Sequence, residues 1–272
     1  MPRPTFRDLE KAGWTSRAEV YDDYFAKITR QATDAILDGL GDLKGKRLLD
    51  VACGTGHLAG AAKSRGAEAE GIDFSAAMVA EAADNYPDCT FSEGDAEHLP
   101  FEDGSFDAVA CSFGLLHMED AESAIREAYR VLRPGGRYAY STWRGPDQGG
   151  QMFALIMGAV QKFGTLEVDL PPAPPMFRFA NPEECARLLQ STGFTDTRTK
   201  VLPLAWRGPS GEALLEMVYK SVVRMPMVLE AQTESAREQI HAAVIEGAKA
   251  HRENDGIKIA FPALLAVAQR PH

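Results

Sequence analysis

The chain predicts an α/β fold, a mostly parallel sheet with helices on both faces. Three observations carry that reading. From Lys46 to Trp143 strand-like and helix-like patterns alternate, as they do where crossover helices join parallel strands. The stretch Leu48–Ala59, LLDVACGTGHLA, reads as strand, tight turn and helix start. Apolar Leu48, Leu49 and Val51 suit a strand buried on both faces, and Gly54 and Gly56 permit backbone angles that a side chain forbids. The next strand-like run, Glu68–Asp73, ends in an acid about 20 positions beyond the turn. Doubly wound sheets place a ribose-diol acceptor there, because two carboxylate oxygens can receive both hydroxyl protons.

Taken in order, Ala18–Leu40 has helical apolar spacing through Val20, Tyr24, Ile28, Ala32, Ala35 and Ile36. The first strand then ends at Asp50 and the small-residue loop Ala52–Gly56 opens a helix. Gly54-Thr55-Gly56 is followed by His57-Leu58-Ala59, so the dinucleotide fingerprint is met only in a relaxed form. Thr90–Ser92 reads as the third strand, with Gly94–Ala96 in the turn after it. Asp107–Ser112, apolar through Ala108, Val109 and Ala110, reads as a central strand. Glu119–Leu132 is an amphipathic helix with Ala121, Ala124, Ile125, Ala128, Val131 and Leu132 inward. Arg133-Pro134-Gly135-Gly136 stops it and turns the chain into strand Arg137–Thr142.

Beyond Trp143 the pattern is less regular. Gly145–Gly150 breaks the chain, Met152–Phe163 reads as helix and Pro171–Pro175 as a proline-rich loop. Asn181–Thr192 is a helix with Asn181 as N-cap and Pro182 in its first turn, stopped by Gly193. A strand follows around Thr197–Trp206, then two helices near Gly211–Met225 and Ser235–Arg252, and a last strand over Ala263–Gln269. No internal repeat or low-complexity tract interrupts this order.

The 272 residues are enough for one sizeable domain with a lid, and 45% hydrophobic with 25% charged residues is ordinary globular composition. A net charge of −10 argues against nonspecific nucleic-acid binding, which needs clustered Lys and Arg. Cys53, Cys89, Cys111 and Cys185 have no CxxC spacing, so neither a metal site nor a disulfide framework is expected. With no secretory leader or long apolar span legible, the expected compartment is the reduced cytoplasm.

Five motifs stand in succession: LLDVACGTG, GIDFS (Gly71–Ser75), GDAEHLPF (Gly94–Phe101), FDAVACSFGLLHMED (Phe106–Asp120) and LRPGG (Leu132–Gly136). Together they resemble the class I S-adenosylmethionine-dependent methyltransferases, above all the small-molecule group that includes the ubiquinone and menaquinone biosynthesis enzymes. The resemblance is good from Tyr21 to Trp143 and loose beyond. It implies a Rossmann-like, seven-stranded, mostly parallel sheet whose last strand is antiparallel, with a helical insertion as lid. It also implies an N-terminal helical segment, residues 1–45, closing over the cofactor. The methyltransferase domain would be 46–272, with lid segments at about 150–180 and 207–255, rich in Met and Phe.

The cofactor so implied is S-adenosyl-L-methionine, leaving as S-adenosyl-L-homocysteine. The Gly54–Gly56 loop would hold the methionine portion and Asp73 the ribose, with Ala52 also among the cofactor-binding residues. Asp95 would accept from the adenine amine while the Ala96 N–H donates to a ring nitrogen. Asp50 either anchors the glycine loop or takes a water-mediated bond from the methionine ammonium. Phe74 packs on adenine or in the core, and Met78 lines the same slot. Tyr24, on the more apolar face of its helix, reaches the methionine end or simply packs, as do Tyr21 and Thr29.

Strand ends converge at one rim of such a sheet, so the backbone around Ser112 joins the crevice, with Phe113–Met118 beside the transferred methyl. His117 there is either a base for the acceptor's proton or a packed histidine. The expected reaction moves a methyl group to an O, N or C atom of a small apolar or aromatic molecule, driven mainly by orientation. Ser112-Phe113-Gly114-Leu115 stands where amino-methyltransferases of nucleic-acid bases carry a DPPY-like tetrapeptide, which speaks against that substrate. Two other classes remain: a nicotinamide-dependent oxidoreductase on the same kind of sheet, and a noncatalytic S-adenosylmethionine-binding protein. The acceptor and the oligomeric state are not legible.

Overall fold

The computed structural model describes residues 3–272; Met1 and Pro2, the start of the N-terminal segment 1–45, lie outside the described residues. Its strands are β1 (Arg47–Val51), β2 (Glu68–Asp73), β3 (Thr90–Glu93), β4 (Phe106–Ser112), β5 (Leu132–Trp143), β6 (Thr195–Leu202), β7 (Ala205–Gly208), β8 (Arg252–Glu253), β9 (Gly256–Ala260) and β10 (Ala263–Gln269). Seven form one sheet in the order β3-β2-β1-β4-β5-β10-β6, while β7, β9 and β8 form a second, smaller sheet. The first five strands pair in parallel, and β10 runs antiparallel to both β5 and β6. The expected sheet, mostly parallel with an antiparallel last strand, is therefore present. Its order reverses between β1 and β4, where open α/β sheets leave a crevice at the strands' carboxyl ends.

The helices are α1 (Phe6–Thr15), α2 (Ala18–Tyr21), α3 (Ala26–Thr29), α4 (Thr33–Leu40), α5 (His57–Ser64), α6 (Ala76–Asn85), α7 (Ala121–Val131), α8 (Gln151–Phe163), α9 (Pro182–Thr192), α10 (Gly211–Ser221), α11 (Arg224–Glu230) and α12 (Glu234–Ala248). Successive side chains of β1 point to opposite faces, and both faces are covered. Leu48 packs with Ile36, Leu40, Leu58 and Ala62 on one side; Leu49 packs with Val109, Ile125, Val131 and Leu189 on the other. Ser75 and Asp120 cap α6 and α7, and Asn181 takes the N–H groups of Glu183 and Glu184 at the start of α9, with Pro182 in its first turn. Gly193, at φ 108°, stops that helix in the left-handed region.

Four expectations change. The run 18–40 is not one helix: it breaks into α2, α3, a short 3-10 turn and α4. Asp22 and Asp23 sit at the break, and Asp22 spends its carboxylate on Thr55 and His57 instead of on a helical face. An unexpected helix, α1, precedes it. The strand around 197–206 is two strands, because Pro203 cannot donate to a ladder and β7 joins the other sheet. The two expected C-terminal helices are three, with a turn at Val222–Val223 separating α10 from α11. β5 also begins earlier than Arg137, at Leu132, which pairs with Phe106 before the register shifts.

Candidate functional site

The carboxyl ends of β1, β2, β3 and β4 open on one cleft of ≈ 870 Å³, measured to its open mouth. Beneath it lies a second hollow of ≈ 410 Å³, and the two share Tyr21, Thr29, Ala52, Gly54 and Ser112 in their walls. The backbone that forms the rim is unusual. Ala52 at φ 56° and Phe113 at φ 57°, just past the ends of β1 and β4, both hold left-handed conformations that cost non-glycine residues energy. Gly54 sits at φ 53° with open space where a Cβ would project, so its backbone lies bare against the hollow.

Asp73 ends β2 and ties the rim together. Its Oδ2 accepts the Gly54 N–H at 2.9 Å and its Oδ1 the Ser75 N–H at 3.0 Å. Burial pushes the carboxyl above the ordinary range, against the pull of those two donors. A carboxylate offers about four lone-pair positions, so roughly two remain for a ligand such as a vicinal diol. Asp50 is the more extreme case. It is 1% exposed; Oδ2 accepts the Ala59 N–H at 3.1 Å, and among the described residues Oδ1 has no partner. Burial, with Asp73 nearby, pushes Asp50 up to about 8. A buried orphan oxygen is costly unless something completes it. Asp50 lines the lower hollow with Arg30, a pairing that suits a ligand end bearing both an ammonium and a carboxylate.

Asp95 stands at the turn after β3. Burial would raise it, but hydrogen bonds from Arg7 and His98 outweigh that and hold it below the ordinary range. Its Oδ1 accepts the Glu97 N–H at 2.9 Å, while Oδ2 lies 2.6 Å from Arg7 Nη2 and 3.0 Å from His98 Nδ1. Phe74, Met78, Ala96, Ser112 and His117 line the same cleft. Two of the expected residues line neither hollow. Tyr24 turns outward, its hydroxyl donating to Glu216 at 2.8 Å and accepting from Lys220 at 3.0 Å. Gly56 starts α5 with its backbone pressed against Phe91, Ala82 and Tyr86, so it serves the packing of the loop.

The site has a part that the sequence reading passed over, helix α1. It lies across the cleft on four attachments: Arg7 to Asp95, Glu10 to His117, Lys11 to Glu93 at 2.8 Å, and Thr15 to Ser75 at 3.0 Å. Arg7 and Trp14 are in the cleft wall. A signal existed in Thr5-Phe6-Arg7-Asp8, since Thr5 and Asp8 exchange backbone bonds as a capping box. The opposite end of the cleft is aromatic, with Tyr21, Phe25, Phe113 and Trp143 in its walls. Phe113 stacks on Trp143 at 3.9 Å and Trp143 on Phe261 at 4.0 Å. Tyr21 is half-buried, and desolvation pushes its phenol up to about 12, so it stays neutral. No residue of segments 150–180 or 207–255 lines the cleft; Phe153 and Phe177 back this aromatic wall through Phe261.

Residues 49–140 match the model of a methyltransferase domain. The chain is 35% identical over 179 residues to the demethylmenaquinone methyltransferase of Deinococcus radiodurans, covering 60% of this chain and 73% of that protein. It is 44% identical over 120 residues to the demethylmenaquinone methyltransferase of Beutenbergia cavernae, covering 44% of this chain and 49% of that one. Thus the chain spans about half the length of several curated relatives that it matches. Among solved structures, Haemonchus contortus phosphoethanolamine N-methyltransferase 2 in complex with S-adenosyl-L-methionine superposes at a TM-score of 0.60 and 21% identity, over 99% of this chain and 61% of that one. That likeness establishes the fold. With the glycine turn after β1, the acid ending β2 and a relative matched over most of its length, the chain belongs to the class I S-adenosylmethionine-dependent methyltransferases.

Proposed function

We propose that the chain is an S-adenosyl-L-methionine-dependent methyltransferase acting on a small apolar or aromatic molecule. One observation carries the reading: Asp73 and Asp95 in the cleft and Asp50 in the hollow that shares its walls converge at the sheet's switch point, each with acceptor capacity left over. Asp73 would hold the ribose, Asp95 and the Ala96 N–H the adenine edge, and Asp50 with Arg30 the amino-acid end beside Gly54. Phe74 and Met78 flank the adenine slot, and Ala52 and Ser112 complete the floor. Bound there, the cofactor supplies a methyl group already activated on a sulfonium. Five acids line the two hollows against Arg7 and Arg30, a field that suits a cationic ligand.

What the chain's own residues contribute is placement. α1 and the rest of residues 3–45 close over the cofactor and exclude water, while Trp14, Tyr21 and Phe25 present apolar surface to the acceptor and Trp143, stacked between Phe113 and Phe261, stiffens the wall behind them. Segments 150–180 and 207–255 shape the acceptor's side indirectly, by backing that wall. Demethylmenaquinone is in the names of the curated relatives, and a reduced quinone of that kind suits an aromatic-walled cleft. No basic stripe favours nucleic acid as substrate, and among the described residues no helix is long and apolar enough to cross a membrane. Four free cysteines accord with the cytoplasm.

Calorimetric titration should show S-adenosylhomocysteine binding and NAD failing to bind. Labelled cofactor should then transfer its methyl group to reduced demethylmenaquinone or to another phenolic acceptor in a panel. Asp73→Ala should weaken S-adenosylhomocysteine binding by about 1–3 kcal/mol, the scale of bonds lost to a charged group. Affinity unchanged in that variant, or tight NAD binding, would overturn the reading.

A further inference from the structure

We propose that Glu10 is a positioning residue for His117, and that docking of α1 thereby readies the base that takes the acceptor's proton. The inference rests on the methyltransferase reading above. Glu10 is 2% exposed, an uncommon place for a carboxylate, on the buried face of α1 that it shares with Phe6 and Gly13. Its Oε2 lies 2.8 Å from His117 Nδ1 and accepts the Trp14 indole N–H at 3.1 Å. An ionised carboxylate can only accept, so Nδ1 must carry the hydrogen. The neutral ring then keeps its lone pair on Nε2.

Two further features hold the ring. Trp14 meets it edge-on, with ring centroids 4.9 Å apart, which fixes its plane. The bond through Nδ1 is the only one the ring makes among the described residues, and the ring lines the cleft. Nε2 is therefore left free for a ligand in the cleft. A buried carboxylate carries a desolvation cost that its bonds to one indole and one imidazole offset only in part, so packing alone does not call for an acid here. What it does specifically is select a tautomer.

The proton balance is complete. The acceptor's lone pair forms the new bond to the methyl carbon, the carbon–sulfur pair stays on sulfur, and the acceptor's proton passes to Nε2. The imidazolium so formed lies against the Glu10 carboxylate, and water removes its proton afterwards. Glu10 rides on the helix that Arg7, Lys11 and Thr15 fasten to the cleft rim. A cleft with α1 undocked thus has an unoriented His117 and a poor base, which ties proton transfer to closure.

The test combines nitrogen-15 NMR of histidine-labelled full chain with kinetics. The His117 resonances, assigned by their loss in His117→Gln, should show hydrogen on Nδ1 in the wild type. In Glu10→Leu they should shift toward the Nε2–H form that free imidazole favours. With labelled cofactor and reduced demethylmenaquinone, Glu10→Leu and His117→Gln should each lower kcat at least tenfold, leaving KM and S-adenosylhomocysteine affinity within twofold. The double variant should be no slower than either single, and Glu10→Asp should recover part of the rate. Hydrogen on Nε2 in the wild type, or losses that multiply in the double variant, would overturn the proposal. The wild-type and His117→Gln spectra decide it even if Glu10→Leu does not fold. Absence of any methyl transfer by the wild type would instead remove the methyltransferase reading, with the NMR result standing apart.

Discussion

Asp50 is the residue at which burial and charge are most at odds. In an acid whose folded value lies above its unfolded one, the native state holds its proton longer. Between the ordinary 3.8 and about 8, Asp50 therefore detracts from stability increasingly as pH rises. A cationic group bound at Oδ1 reverses this by favouring the carboxylate. S-adenosylhomocysteine binding should accordingly release a proton below pH 8, visible as a dependence of the calorimetric heat on buffer ionisation. Affinity should climb by up to about tenfold per pH unit and level off above that point. In Asp50→Asn both effects should vanish. Asp73 was legible from its spacing to the glycine turn, because a βαβ unit fixes where the second strand ends. The orphan oxygen on Asp50 was not, since sequence says which acid ends a strand but not whether a donor faces it.

At the level of the element, helix α1 is the piece the sequence disguised. Its partners Asp95, His117, Glu93 and Ser75 lie 60 to 107 positions further along the chain. Local periodicity carries no trace of such contacts; only the capping pattern at Thr5 hinted at a helix. The same limit explains Tyr24: apolar spacing placed it inward, yet α2 ends at Tyr21 and the chain turns it toward Glu216 and Lys220. The seat of α1 is close-packed at Gly13, where a Cβ would come within 2.4 Å of Val223. Gly13→Val should lift the helix, costing about 1–3 kcal/mol of stability as overpacking does. Urea denaturation should register that loss, and S-adenosylhomocysteine should bind more weakly. Undiminished affinity would mean that α1 is not part of the binding site.

For the molecule as a whole, the stretch from Lys46 to Trp143 was the readable part. There each strand or helix announces itself through composition, and the right-handed crossover rule leaves few ways to connect them. Past Trp143 tertiary contacts decide: β7 and β8 are too short to show alternation, and Pro203 hides the change of sheet. Phe261, fully buried between β9 and β10, joins the two sheets by stacking on Trp143 and meeting Phe25 and Phe153 edge-on. Phe261→Ala should cost about 3–5 kcal/mol, read from the denaturation midpoint. It should also loosen the aromatic wall, raising KM for the acceptor more than for the cofactor. The strapping of the N-terminal helix has a kinetic corollary. Each bridge that fastens the helix also bars the way out for spent nucleoside, so cutting one should quicken its escape. Lys11→Ala, which removes the bridge to Glu93, should raise the off-rate of S-adenosylhomocysteine in a stopped-flow displacement, and an unchanged off-rate would mean the helix does not gate the exit.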